Sequence, residues 1–408
     1  MVEGNLPPGW RLAEFDEVAT IAPGLIDPRD PRQRDKLHIG PENIASGGGL
    51  TADPLRTAGE IGLISGKFVF NRGDIVYSKV RPNLNKVIRP NFSGLCSADM
   101  YVIRAKSTSC SQQFLFHVLR GERFYKQAVA ASMRSGLPKV NRDDLATMLL
   151  VIPPLGDQNT ISAALDNCDR AIAAADALVA AKRQAKRALA QQLLRTGEPM
   201  ALTDVAEVLF SGVDKLTIAG ELPVRLCNYM DVYTNERITA DLPLMLATAT
   251  PQEARRFGLQ AGDVLFTKDS ETADDIAAAA FVPEDMPGVV CGYHLGLARP
   301  RENLIRGDFL AQVMAMPSTR AQFTRAANGV VRFGLTLAAM EQIVLHVPAL
   351  ARQEAVAGAL HALDDEIDVH RRQTDLLRCQ KRGLMQKLLT GAWTRSAPLA
   401  AAASAAAV

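Results

Sequence analysis

Between Pro153 and Leu194 the apolar residues step by four and three along the chain, at Ile161, Leu165, Cys168, Ile172, Ala175 and Val179, then at Leu189 and Leu193. The same stepping returns between Pro348 and Leu389, at Val356, Leu360, Leu363 and Ile367, then at Leu377, Leu384 and Leu388. Alternating steps of four and three mark helices that pack through a coiled-coil seam. Each stretch opens after a proline break, VIPPL or HVPAL, which closes a strand and starts a helix. Laid on each other without a gap, Pro153–Leu194 and Pro348–Leu389 share 14 of 42 residues, against about three or four for so biased a composition. Pro153/Pro348, Gln158/Gln353, Leu165/Leu360, Asp169/Asp364, Ile172/Ile367 and Lys186/Lys381 are among the matches, and QQLLRTG and QKLLTG end both stretches. This is an internal duplication.

A helix with one apolar seam cannot bury it alone, so the two copies are expected to pack on each other. About 38 residues at about 1.5 Å each span roughly 57 Å, enough to serve as a ruler. An antiparallel pair sets Ile161 near Leu388, Leu165 near Leu384, Ile172 near Leu377 and Leu189 near Leu360. Polar residues interrupt both seams, Lys182 and Lys186 in the first and His370, Thr374 and Lys381 in the second. A buried lysine is costly, so the long side chains are expected to lie along the seam with their heads in water, Lys182 and Lys186 pointing outward beside Ile367 and Leu363.

Upstream of each helix lies about 150 residues of mixed, turn-rich sequence. KFVFNRGDIVYSKV reads as short strands around a Gly-Asp turn, YVIRA as another strand, and FLFHVLRGERFYKQAVAA as a helix. FGLQAGDVLFTK, GVVCGYHLGLA and FLAQVMAMP follow in the same order in the second half. The pattern predicts an α/β (α+β) chain with globular domains at 1–152 and 199–347, helical segments at 153–198 and 348–392, and a frayed Ala-rich tail at 393–408.

Composition narrows the class. With 48% apolar and 22% charged residues over 408 positions the chain is globular and multi-domain. No apolar run reaches the roughly 18 residues that cross a bilayer, and MVEGNLPPGW carries no secretory pattern, so a soluble cytoplasmic protein without a membrane partner is expected. The six cysteines are scattered, and Cys96 and Cys291 read as small buried residues rather than as a disulfide, zinc ligands or nucleophiles.

Charge is uneven. Lys and Arg outnumber Asp and Glu by 20 to 15 in residues 1–150 and are outnumbered by 18 to 12 in 199–347. In YSKVRPNLNKVIRPN the candidate DNA contacts Ser78, Lys79, Arg81, Asn83, Asn85, Lys86 and Arg89 interleave cations with amides. Arg and Lys neutralise phosphate or take guanine edges and Asn pairs with adenine, so the mixture suits DNA reading, although a solvated loop has the same composition. Arg134, Lys139 and Asn141, around a Gly-Leu-Pro turn, form a second candidate group. The matching stretch FTKDSETADD offers Thr267, Lys268, Ser270 and Thr272, with Arg332 further along. Its acids Asp269, Glu271, Asp274 and Asp275 read as a local turn, since their spacing fits no metal loop. No Walker, GxGxxG, HExxH or GxSxG pattern occurs, and no metal site is expected.

These residues together carry a resemblance. LPPGWR at Leu6, the paired GDIVYSK and GDVLFTK, the IPPLGDQ and VPALARQ junctions, and the QQLLRTG and QKLLTG endings resemble the DNA-specificity subunits of type I restriction-modification enzymes, over nearly the whole chain to Trp393. The resemblance implies a non-catalytic subunit with two target-recognition domains, each reading one half of a split asymmetric sequence in double-stranded DNA. It implies antiparallel helices that dock two methyltransferase subunits, with two restriction subunits added for cleavage. S-adenosylmethionine, ATP and Mg would sit on those partners and none on this chain. Asp157 and Arg352 stand before Gln158 and Gln353 where the family often has Glu, and the second domain is acidic. The rival readings are an active DNA methyltransferase or nuclease, and a coiled-coil scaffold that binds only protein. The first should show an NPPF-like or DPPY-like motif, which is absent.

Overall fold

A computed structural model describes residues 6–133 and 138–393. The chain divides into two compact units, one formed by 1–176 with 372–408 and one by 177–371. The two long helices, α1 (Leu155–Leu193) and α2 (Leu350–Leu388), each contribute to both. Among the described residues no helix is long and apolar enough to cross a membrane.

In the first unit a four-stranded antiparallel sheet runs Ala19–Ile21, Met100–Ala105, Ile75–Ser78, Val87–Ile88. A mixed three-stranded sheet runs His38–Ile39, Gly94–Cys96, Phe68–Phe70. Arg11–Glu14 pairs with Leu149–Ile152 just before α1 begins. The second unit repeats the four-stranded sheet and the closing strand pair, and its three-stranded sheet is again mixed but has a different central strand. Its four-stranded sheet runs Ala206–Phe210, Leu295–Pro300, Val264–Thr267, Ala279–Phe281, its three-stranded sheet runs Met245–Ala249, Leu222–Cys227, Val289–Cys291, and Glu198–Ala201 pairs with Val344–Val347 before α2. Cys96 and Cys291 are free and buried at equivalent places, and burial pushes the Cys96 thiol up to about 12.

The stretch expected as one helix, FLFHVLRGERFYKQAVAA, is two: Gln112–Arg120 and Glu122–Ser132. Gly121 separates them in an extended conformation, and a methyl group there would stand 3.1 Å from Leu389 Cδ1 at the end of α2. Gly121→Ala is therefore expected to lower the melting midpoint by a few degrees, about 1 kcal/mol, because the crowded neighbour is part of the core. An unchanged thermal midpoint would show that this corner repacks freely.

Each helix start is fixed by a fully buried glutamine. Gln158 accepts from Ser111 N at 2.8 Å and donates to Ser109 O and Pro153 O; Gln353 accepts from Arg306 N at 2.9 Å and donates to Leu304 O and Pro348 O. Both amides satisfy backbone groups of the proline junction and of the loop that leads into the preceding helix.

Within each unit the long helices run antiparallel. In the first, Ile161 and Leu165 of α1 share a core with Leu388 of α2, with Leu384 packed against it, and Asp169 pairs with Lys381 and Asp176 with Arg378 at 2.7 Å. In the second, Leu189 and Leu193 pack on the core that contains Val356 and Leu360, while Lys186 pairs with Asp364 and Lys182 with Glu366 at 2.6 Å. Positions rise on one helix as they fall on the other. Ile367 is buried, whereas Ile172 and Leu377 are only half-buried.

The seam lysines depart from expectation. Lys381 is 5% exposed, and the Lys186 side chain 15% exposed, so neither sends its head into water. The reason is that the duplicated carboxylates Asp169 and Asp364 face them from the other helix, so each seam lysine is neutralised where it lies. Lys182, by contrast, ends on the exposed Glu366 at the surface of the pair. Thr374 is buried in the same seam.

Candidate nucleic-acid interface

The Gly-Asp turns build the same frame in each unit. Asp74 is buried, caps the turn by accepting from Asn71 N at 2.8 Å, and receives Arg104 at 2.9 and 2.7 Å. Asp263 does the same with Gln260 N at 2.9 Å and Arg299 at 2.9 Å twice. These acids are therefore fork-paired supports for the strands Ile75–Ser78 and Val264–Thr267. Each strand delivers a lysine to the sheet's end. Lys79 N donates to Asp99 O at 3.0 Å and Lys79 O accepts from Val140 N at 2.8 Å; Lys268 N donates to His294 O at 3.0 Å and Lys268 O accepts from Leu335 N at 2.8 Å. The Lys79 ammonium lies over the Tyr101 ring at 5.6 Å, and that of Lys268 over Tyr293 at 4.8 Å.

The backbone is strained beside both lysines. Among the described residues the non-glycine positions with positive φ are Arg81 (50°), Asn85 (46°), Ala277 (60°) and His294 (73°), two in each unit and all in the loops around these strand ends. Such conformations cost free energy and persist where surrounding structure holds them, commonly at functional loops.

The side chains on the shared frame differ. In the first unit Val80 bridges Lys139 next to Asp99. At the same backbone places the second unit puts Asp269 opposite Gly334, next to His294. Asp269 receives His294 Nδ1 at 2.6 Å and Arg332 Nη2 at 2.9 Å. Tyr229 stacks on Tyr233, whose hydroxyl donates to Asp275 at 3.0 Å.

The sequence of residues 9–178 matches the family described as type I restriction modification DNA specificity domain. The specificity subunit of the Escherichia coli type I restriction enzyme EcoDI is 39% identical over 157 residues, 38% of this chain and 34% of that protein. The match thus spans about a third of that relative's length. A putative type I specificity subunit, MjaX, of Methanocaldococcus jannaschii is 21% identical over 95% of this chain and 94% of its own. Residues 9–178 thus resemble the DNA specificity domain of type I restriction-modification enzymes.

Solved structures of low identity share the fold of this chain. The S subunit of a type I system from M. genitalium aligns with a TM-score of 0.57 at 12% identity, covering 95% of this chain and 98% of that one. A chain from a study of complex assembly and conformational transition of the type I R-M system also gives 0.57, at 17% identity, covering 95% and 99%.

The candidate reading residues fall into two groups. Arg81, Asn83 and Lys139 are exposed around the first strand end, and Thr272 and Arg332 around the second, with Lys79 and Lys268 half-buried. Asn141 is exposed and starts the short helix Arg142–Ala146. Arg134 lies outside the described residues. The remainder are turned inward. Ser78, Thr267 and Ser270 are buried, with hydroxyls engaged by Val80 O, Ala278 N and Thr272 O. Asn85 donates to Arg120 O at 3.2 Å, Lys86 to Pro41 O at 2.6 Å, and Arg89 lies over the Phe116 ring and reaches Asp166 at 3.4 Å. These hold the loop onto its own unit. His294 and Tyr293 escaped the sequence reading; the signal was their place in GYHLG, just before the strand Leu295–Pro300 that pairs with the lysine strand in the structure.

The acidic turn of the second unit is internally committed, through Asp269 and Asp275 above, and the hydrogen bond from Thr272 holds the Asp274 carboxyl low. Among the described residues the group with ligand spacing is His117, Asp166 and Asp169. Arg89, Arg120 and Lys381 already neutralise its two carboxylates, and burial holds the His117 imidazole below its ordinary value, so the cluster acts as a buttress between the helix Gln112–Arg120, α1 and α2.

Proposed function

We propose that the chain is the non-catalytic DNA-recognition subunit of a type I restriction-modification complex, each unit reading one half of a split, asymmetric double-stranded target. The observation that carries this reading is the repeated frame with exchanged side chains: Val80, Asp99 and Lys139 at one strand end, Asp269, His294 and Gly334 at the other. A protein reading two different half-sites needs one docking geometry twice and two different sets of donors and acceptors. The sequence-related surfaces of α1 and α2 offer equivalent docking places to two methyltransferase subunits, which supply S-adenosylmethionine chemistry. Two restriction subunits with ATP and Mg complete the cleaving complex in the cytoplasm. Domain limits near 152, 199 and 347 place the readers upstream of each helix.

Sequencing of methylated bases in a host carrying this chain with its methyltransferase, and in the same host lacking it, is the test. A bipartite motif with two unequal halves should vanish when the chain is removed. Methylation that persists unchanged, or a continuous motif, would refute the reading.

A further inference from the structure

The loop between Pro317–Ala326 and the strand Phe333–Gly334 projects from the second unit. Asn328 and Gly334 close its base with reciprocal hydrogen bonds of 2.9 and 2.8 Å, and Val330 and Val331 beyond them are 93% and 89% exposed. Arg332, on the same loop, is 60% exposed, yet its guanidinium is not free to swing. Asp269 takes one of its amino groups at 2.9 Å, and His294 Nδ1 stands 3.5 Å away. The Asp269 side chain is only 15% exposed, so its carboxylate is a fixed post rather than a solvated partner. A carboxylate only accepts, so His294 Nδ1 carries the proton that it donates across 2.6 Å. His294 holds that position with φ of 73°, a conformation its neighbours must enforce.

We propose that Arg332 reads a guanine in the half-site of the second unit, with Asp269 and His294 as the residues that position it. A guanidinium has five N–H donors in a planar fork, and Asp269 uses one side of it. The rest faces outward on a projecting loop, which is the geometry for paired donation to guanine O6 and N7. Phosphate is the other ligand open to an exposed arginine, and the surroundings disfavour it. Asp269 offsets the arginine's charge, the exposed Glu271 and Asp274 follow Asp269 closely in the chain, and residues 199–347 carry 18 acids against 12 bases. A neutral base edge suffers none of that repulsion. The matching place in the first unit has Val80 in place of Asp269, so the two half-sites are read by different chemistry at this point.

The inference rests on the proposed recognition function, and one experiment separates them. The full chain and its variants are co-expressed with the methyltransferase, and the methylated motif is sequenced alongside binding of matched duplexes. For Arg332→Ala, discrimination at one position of one half-site should fall about 10- to 100-fold, and that position should be a G·C pair in the native motif. Arg332→Lys keeps the charge but not the fork, and should relax the same position. Asp269→Ala and His294→Ala should relax it less, leaving every other position and the other half-site intact, a signature that general loss of structure would not give. A uniform loss of affinity across all duplexes would make Arg332 a phosphate contact and overturn the inference, as would an unchanged motif or relaxation at an A·T pair. If the native complex yields no split motif, the recognition function itself falls.

Discussion

Replacing Asp169 by alanine is expected to cost the first unit about 2–4 kcal/mol of stability. Lys381 is 5% exposed in the seam, and its ammonium pairs with Asp169; Arg120 also donates to Asp169, at 3.2 Å. Alanine would leave two cations facing each other without the anion between them. The Asp169 side chain is 33% exposed, so water relieves part of the penalty and the loss stays below the upper end of the range for buried pairs. Replacing both Asp169 and Lys381 by leucine removes the stranded charge and should recover most of the stability, which separates charge from packing. The pH dependence has a definite sign. Burial holds the Lys381 ammonium below the ordinary lysine value of 10.5, so between its folded value and 10.5 the unfolded chain binds more protons and stability rises with pH. Without Asp169 the folded value falls further, and Asp169→Ala should regain stability on alkaline titration more steeply than the native chain. Urea unfolding of the full chain at neutral and mildly alkaline pH measures both effects. A loss under about 0.5 kcal/mol with the native pH slope would mean that Lys381 reaches water after all.

The same pair shows what sequence can and cannot supply. The duplication and the two helices follow from residues spaced by three and four, because a period is a property of the chain itself; the antiparallel sense came from the expected relation of two equal halves, since the period fits a parallel pair as well. The fate of the seam lysines does not. Whether Lys381 snorkels depends on what stands across from it, and the facing residue is fixed only by the relative rotation of two helices. The clue was there in the duplicated Asp169/Asp364 and Lys186/Lys381, which meet as reciprocal pairs. The candidate reading loops follow the same logic. Alternating cations and amides from Ser78 to Arg89 pointed to the strand end at Lys79 as a candidate, but composition gives no direction to a side chain. Lys86 and Arg89 turned back to Pro41 and Asp166, while Arg81 and Asn83 turned outward. His294 and Asp269 are 25 residues apart in the chain, and only the strand pairing brings them together.

Arg81→Gly should separate recognition from folding in the first unit. Arg81 sits at φ 50°, ψ 57°, where an L side chain crowds its own backbone, at a cost of about 1–2 kcal/mol. Its amide donates to Pro138 O at 2.9 Å and its carbonyl accepts from Leu84 N at 2.9 Å, bonds that glycine keeps. Glycine adds freedom to the unfolded chain, which offsets part of the relief, so stability is expected to hold or to rise by up to about 1 kcal/mol. The exposed guanidinium, which has no partner among the described residues, is lost. If it contacts a base, discrimination at one position of the first unit's half-site falls about 10- to 100-fold, while the second half-site is read as before. Asn85→Gly is the counterpart. Asn tolerates φ of 46° well, and its amide donates to Arg120 O at 3.2 Å, so glycine there should weaken the fold and leave the motif alone. Thermal unfolding and methylated-motif sequencing of the two variants should therefore move in opposite senses. Were Arg81→Gly to lower the melting midpoint and leave both half-sites unchanged, the strain at Arg81 would serve the architecture of the loop, and base reading in this unit would have to be sought at Asn83 and Lys139.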